Sequence, residues 1–152
     1  HEAKSIGNET TFAEDIAAAD QLQEIVDELA DKVARRLRSH GLAARTVALK
    51  ARYPDFSTVT RAETLAAATN ATVALRDTAR TLLHRRLGRA GRPLRLLGVT
   101  ASRLEPAAAA GAAQGELFAD PGRERQQTLD RVLDRVHDRY GAKLRRGISR
   151  RR

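Results

Sequence analysis

Apolar residues in this chain recur with the period of a strand or of a helix, and the order in which the two periods alternate fixes the fold class. Residues 4–12 read as a strand polar on both faces, with Ser5, Asn8 and a Thr10–Thr11 pair around a mid-strand Gly7. Over residues 20–40, Leu22, Ile25, Val26, Leu29, Val33 and Leu37 return at helical spacing. Asp20, Glu24, Asp27 and Glu28 come early and Lys32, Arg35, Arg36 and Arg38 late, which complements the helix macrodipole, and Gly41 stands where a C-cap glycine belongs. Residues 46–53 alternate again. Val47, Leu49, Ala51 and Tyr53 share one side, Lys50 and Arg52 the other.

Pro54-Asp55-Phe56 is a turn short enough for an antiparallel hairpin, with residues 57–65 as its Thr-rich second strand. A second helix is expected over about residues 70–87, with Asn70 or Thr69 as N-cap and Leu75, Ala79, Leu82 and Leu83 on its buried face. The last strand, residues 94–103, turns Leu97, Val99 and Ala101 inward and leaves Gly98, Thr100 and Ser102 on the other face. Strand, helix, strand, strand, helix, strand predicts an α+β fold: a four-stranded sheet with both helices on one face. The other face is then open and polar. A first strand built only for burial would be rich in Val, Ile and aromatics. This one offers hydroxyls, amides and a closely approachable backbone to an anion such as phosphate.

Charge supports that direction. Residues 1–31 carry nine acids and one Lys, whereas the rest of the chain carries 27 basic and 10 acidic side chains. A one-sided basic surface fits nucleic acid or an anionic membrane. The acids of the first helix are accounted for by its dipole and need no catalytic role. The chain has no Cys, so disulfides and thiolate metal sites are excluded. No apolar run nears the roughly 20 residues that span a bilayer. A soluble, cytoplasmic protein with no membrane partner is expected.

No catalytic constellation is visible. His1, His40, His84 and His137 are dispersed, and neither a P-loop nor a G-x-G-x-x-G cradle occurs. Binding chemistry is better represented. Ser5, Asn8 and Thr11 on the first strand, Lys50 and Arg52 on the second, Arg61 on the third, and Arg95, Ser102 and Arg103 on the fourth are the candidates for tracking a phosphate backbone. Strand alternation does not put all of them on one face, and an ordinary solvated sheet face is the competing reading. With two Tyr and three Phe the chain lacks the stacking residues of a single-strand binder, which favours duplex backbone.

Beyond the last strand the composition changes. Residues 107–113 are an Ala/Gly linker, and the short patch Gln114-Gly115-Glu116-Leu117-Phe118 follows. Asp120-Pro121 then opens a third helix over residues 120–141, with Leu129, Val132, Leu133, Val136 and Tyr140 as its apolar stripe. Its Asp130, Asp134 and Asp138 interleave with Arg131, Arg135 and Arg139, which reads as a solvated, self-compensating surface. Residues 142–152 are a basic tail.

Four blocks carry a resemblance: Lys4-Ser5-Ile6-Gly7 with Glu9-Thr10-Thr11-Phe12; Ala44-Arg45-Thr46-Val47 through Leu49-Lys50; Asp55-Phe56-Ser57-Thr58-Val59-Thr60-Arg61; and Leu97-Gly98-Val99 with Ser102. In this order and spacing, over residues 3–106, they closely resemble the C-terminal little-finger domain of Y-family translesion DNA polymerases of the bacterial DNA polymerase IV type. The resemblance implies a sheet that lies in the major groove of primer–template DNA, with Ser5, Asn8, Thr11, Arg61, Arg95 and Ser102 at its backbone. It also gives Gln114, Leu117 and Phe118 a meaning, as a Q-x-x-L-F pattern that docks on the sliding clamp.

The palm, fingers and thumb of that family, and their metal-binding carboxylates, are absent from this sequence. The resemblance therefore implies an accessory domain with no active site and no cofactor of its own, joined upstream to a catalytic core that transfers nucleotides with Mg2+. Two other readings compete with it: a protein–protein interaction module, and an autonomous RNA-binding domain of ferredoxin-like fold.

Overall fold

The computed structural model of the chain describes residues 5–108 together with Asp130 and Asp134. In chain order it contains β1 (Ser5–Ile16), α1 (Ala19–Ser39), β2 (Leu42–Arg52), β3 (Thr58–Thr69), α2 (Thr72–Thr81), a π-helical turn (Leu82–Arg86) and β4 (Leu94–Pro106). This is the α+β succession expected from the apolar periods. The strands form one sheet in the order β1-β4-β2-β3, and every neighbouring pair is antiparallel.

Register decides what each face carries. Ile6, Ala101 and Val47 lie in one row across the sheet, Asn8, Val99 and Leu49 in the next, and Thr10, Leu97 and Ala51 in the third. The apolar members of these rows join Leu22, Val26, Leu29, Val33 and Leu37 of α1 and Leu75 and Ala79 of α2 in one buried core. Complete burial of each such Leu or Val contributes about 1.5–3 kcal/mol. Both helices therefore cover the same face. They are also fastened to each other: Arg80 of α2 donates from Nε and Nη2 to the two oxygens of Asp27 on α1, both at 2.7 Å. That paired hydrogen bond, reinforced by the charge of Asp27, holds the Arg80 proton more firmly than in a free arginine.

Element ends differ from the sequence expectation where local spacing carries no signal. β1 continues past Phe12 to Ile16 because its register against β4 slips after Thr11, and β3 continues past Leu65 to Thr69 through a similar slip. Arg45 secures the second slip by donating to the carbonyls of Leu65 and Ala66 at 3.3 and 3.1 Å. Gly41 is left-handed at φ 66 and returns its N–H to Arg38, as a residue just past a helix end should.

The second helix is capped differently from the expectation. Its N-cap is Ala71, with no side-chain cap. Thr69 Oγ1 accepts from the Ala71 N–H, while Asn70 Nδ2 donates to the Leu42 carbonyl of β2. The two residues are spent on the approach to the helix and on the sheet.

Of the segment beyond the sheet, the linker after Ala108, the patch 114–118, the tail 142–152 and nearly all of the third helix lie outside the described residues. Two of its acids correct the expectation of a solvated surface. Asp130 is 2% exposed, and Asp134 is partly buried against Arg38 of α1.

Candidate nucleic-acid interface

The face away from the helices is assembled from four rows running β1-β4-β2-β3. They are Ser5, Ser102, Thr46 and Thr64; Gly7, Thr100, Ala48 and Ala62; Glu9, Gly98, Lys50 and Thr60; and Thr11, Leu96, Arg52 and Thr58. Among the described residues, neither α1 nor α2 packs on these four rows. Hydroxyls are its commonest side chains and it holds no aromatic ring, so it offers hydrogen bonds and little to stack on.

Two glycines keep the β1–β4 seam flat. A Cβ on Gly7 would stand 2.7 Å from Thr100 Oγ1, and one on Gly98 would stand 3.0 Å from the Cβ of Glu9. The mid-strand Gly7 thus has a packing reason. Its carbonyl is also engaged, accepting from Arg36 Nη1 at 2.7 Å, so the backbone there is less approachable than the first strand alone implies.

The cationic groups of the face are held by local partners. Lys50 Nζ lies 3.5 Å from Glu9 Oε2, and Arg52 Nε donates to Thr58 Oγ1 at 3.0 Å. Thr46 and Thr64 pair through their hydroxyls at 3.2 Å. Each is an exposed, exchangeable contact that an incoming phosphate oxygen can replace.

Of the residues singled out from sequence, Ser5, Thr11, Lys50, Arg52 and Ser102 come together on this face. Asn8 and Arg61 do not. Both stand in the row of Val99 and Leu49, on the helix side, because they are odd-phased against Lys50 and Thr60. Arg61 is moreover turned to the end of the π-helical turn, donating from Nε to the Arg86 carbonyl at 3.1 Å.

Arg95 leaves the open face, and Arg103 stands outside its paired rows. The Arg95 guanidinium lies 4.8 Å from the centre of the Phe56 ring, at the β2–β3 turn. Arg103 drops out of the ladder between the Ala44–Leu104 and Thr46–Ser102 pairs, with φ at 52.

Sequence reasoning missed Glu9, Thr46, Thr58, Thr60 and Thr64. Thr46 shares its phase with Lys50 on the same strand, while for Glu9, Thr58, Thr60 and Thr64 the phase becomes readable only once the register between strands is known.

The β2–β3 turn is a second, smaller charged feature at one end of the sheet. Arg92 stacks on Tyr53 at 3.9 Å, beside the exposed Phe56. Asp55 accepts from the side chain of Ser57 at 2.6 Å and from its backbone N–H at 2.9 Å. These bonds, with a smaller contribution from the charge of Arg92, hold the Asp55 carboxyl below its ordinary range.

No group of three His, Cys, Asp or Glu among the described residues is placed to hold a metal ion. Nor is any described helix long and apolar enough to cross a membrane.

Comparison with known proteins gives this geometry a context. Residues 3–117 match the impB/mucB/samB family C-terminal domain. DNA polymerase IV of Desulfatibacillum aliphaticivorans is 38% identical over 141 residues, which is 92% of this chain and 35% of that protein. DNA polymerase IV of Moorella thermoacetica is 38% identical over 142 residues, 93% of this chain and 34% of that protein. The chain thus spans about a third of the length of the curated relatives it matches.

Among solved structures, the complex of beta-clamp processivity factor and little finger domain of PolIV aligns with a TM-score of 0.55 at 29% identity, covering 67% of this chain and 90% of that one. A Dbh–Dpo4 Y-family DNA polymerase chimera aligns at 0.53 and 16% identity, covering 68% of this chain and 29% of that one, a likeness of fold alone.

Proposed function

Because the chain belongs to the impB/mucB/samB C-terminal domain family and has the little-finger fold, we propose that it is the DNA-gripping domain of a translesion DNA polymerase of the DNA polymerase IV type. The observation that carries this reading is the open sheet face. It is flat at the two glycine positions and lined with Ser and Thr hydroxyls, with Lys50 and Arg52 in adjacent rows. Such a surface suits phosphate oxygens spaced along a duplex and has nothing on which to stack a base. Binding is then electrostatic and sequence-tolerant. The domain holds the primer–template; the catalytic core of the parent protein performs nucleotidyl transfer in the cytoplasm, with its own Mg2+.

Gln114, Leu117 and Phe118 are the second half of the proposal, as a peptide that docks on the sliding clamp. Leu and Phe side chains presented together fill apolar pockets, and Gln sets their register. A clamp-held domain meets DNA at high local concentration, which makes a weak grip productive.

Salt titration of binding to a primer–template duplex tests the grip. With about five phosphates neutralised, log K falls with log salt at a slope of about −4 to −5. A flat response would remove DNA in favour of a protein-binding face, and tighter binding to single-stranded RNA would favour an RNA partner.

A further inference from the structure

The helical layer carries a polar site that the DNA-gripping reading does not use. It lies where the end of α1 meets the start of α2. Arg38 of α1 is nearly enclosed there, and its guanidinium donates to the Asn70 carbonyl at 2.8 Å and to Thr72 Oγ1 at 3.0 Å. The first turn of α2 has no acid and its N-cap is an alanine, so it cannot satisfy its own leading N–H groups. A buried arginine beside an uncapped helix start is a receptor for carboxylates.

The structure fills that receptor from far along the sequence. Asp134 takes a paired hydrogen bond from Arg38, Nε to Oδ2 at 2.6 Å and Nη2 to Oδ1 at 2.7 Å. Asp130 Oδ2 accepts the Thr72 N–H at 3.2 Å and lies 3.6 Å from Arg38 Nη1. Both acids are helical, and their four-residue spacing puts them on one side of a helix. Burial works against the Arg38 charge, but the bond and charge of Asp134, followed by Asp130 and Asp31, outweigh it and hold the guanidinium more firmly protonated than usual.

We propose that Arg38 and the start of α2 form a built-in dock for the chain's own C-terminal segment, which latches through Asp130 and Asp134 onto the helical layer and away from the open sheet face. The family match ends at residue 117, so the latch joins that domain to sequence beyond it. The alignment to the Desulfatibacillum relative covers 92% of the chain and so reaches past both acids. At the near end, the Ala107 N–H is held by the Gly41 carbonyl at 2.8 Å. If residues 114–118 dock on a clamp, a consequence that rests on the reading above, they lie in sequence between the two held points, Ala107 and Asp130.

A double-mutant cycle in the full chain tests the latch without involving DNA or clamp. Arg38→Gln and Asp134→Ala, alone and together, are compared by urea unfolding. A latch couples them by about tenfold in the unfolding equilibrium constant, and additive effects would overturn it. The Thr72 amide gives the second reading. Asp130→Ala accelerates its hydrogen exchange by about tenfold or more while the Leu75 amide, bonded to Ala71, keeps its rate. Unaltered Thr72 exchange would refute the dock, and this arm decides alone if Arg38→Gln does not fold. Sedimentation identifies the occupant: coupling that appears only where the chain dimerises would assign the site to a second copy and overturn the intramolecular latch.

Discussion

Gly7 of β1 lies directly opposite Thr100 of β4, and a methyl group on Gly7 would press within 2.7 Å of the threonine hydroxyl. The pair sits in the second row of the open face, so one contact governs both the strand pairing and the smoothness of the surface. Gly7→Ala is expected to destabilise the domain by about 1–3 kcal/mol, because the Thr100 hydroxyl must leave its rotamer or the two strands must part to admit the methyl group. Adding Thr100→Ala should recover much of the loss. Urea unfolding of the two single variants and the double variant checks this. Equal stability of wild type and Gly7→Ala would show that the seam is looser than the geometry requires.

Glu9 occupies the row of Lys50 on the same face and draws its ammonium to 3.5 Å. It is the one acid among the four rows, and it both engages a cation and repels phosphate. Glu9→Gln is therefore predicted to tighten binding to duplex DNA by about twofold to tenfold at low salt, the gain fading as salt screens it. Lys50→Ala should weaken binding and lower the steepness of the salt dependence by about one. A titration in which Glu9→Gln loosens the complex would place the phosphates elsewhere.

How much of this surface is legible in the sequence depends on which physical signal each residue sends. The core of α1 and the inward phase of Val47, Leu49 and Ala51 follow from apolar spacing alone, and the structure buries all of them but Ile25, which is partly buried against the core. Ser5 and Asn8, three apart on one strand, face opposite sides by alternation alone, but a strand polar on both sides gives no sign of which side meets the helices, and only pairing with Val99 settles it. Arg61 misleads for a related reason. Its charge fits a DNA surface, but its phase turns it to a helix-end carbonyl that no local pattern announces.

The acids Asp130 and Asp134 look solvated because their neighbours in sequence are arginines. Their actual partners, Arg38 and the Thr72 N–H, are distant along the chain. Contacts of that kind carry no periodicity to read.

Asp55 is the acid whose behaviour with pH the structure sets most clearly. Its bonds to the Ser57 side chain and backbone, and then the nearby Arg92, favour the charged form and hold its pKa below the ordinary 3.8. A carboxyl depressed on folding stabilises the fold above the ordinary value, and that contribution is lost as pH falls through the depressed one. The Asp55 carboxyl resonance should therefore titrate below 3.8, and Asp55→Ala should lower the melting temperature at neutral pH. The variant and wild type should converge as pH falls through the depressed pKa and the carboxyl protonates. A gap that stays constant across that range would mean the Asp55 charge is not involved.

The clamp-docking assignment separates from DNA binding because it rests on different residues. Leu117 and Phe118 follow the last strand in sequence, and the rows that carry Lys50 and Arg52 are built from residues between Ser5 and Ser102. Replacing both with alanine removes the apolar side chains that would fill a pocket on the clamp, and anchors of this kind commonly account for about 2 kcal/mol or more each. The double variant is thus expected to lose sliding-clamp association in a pull-down or by surface plasmon resonance, while its affinity for duplex DNA and its salt dependence stay those of wild type. Gln114→Ala should weaken the clamp complex less, since it sets register and leaves the apolar anchors in place. Clamp binding that survives the loss of both Leu117 and Phe118 would dismiss the motif and leave the DNA grip standing on its own evidence.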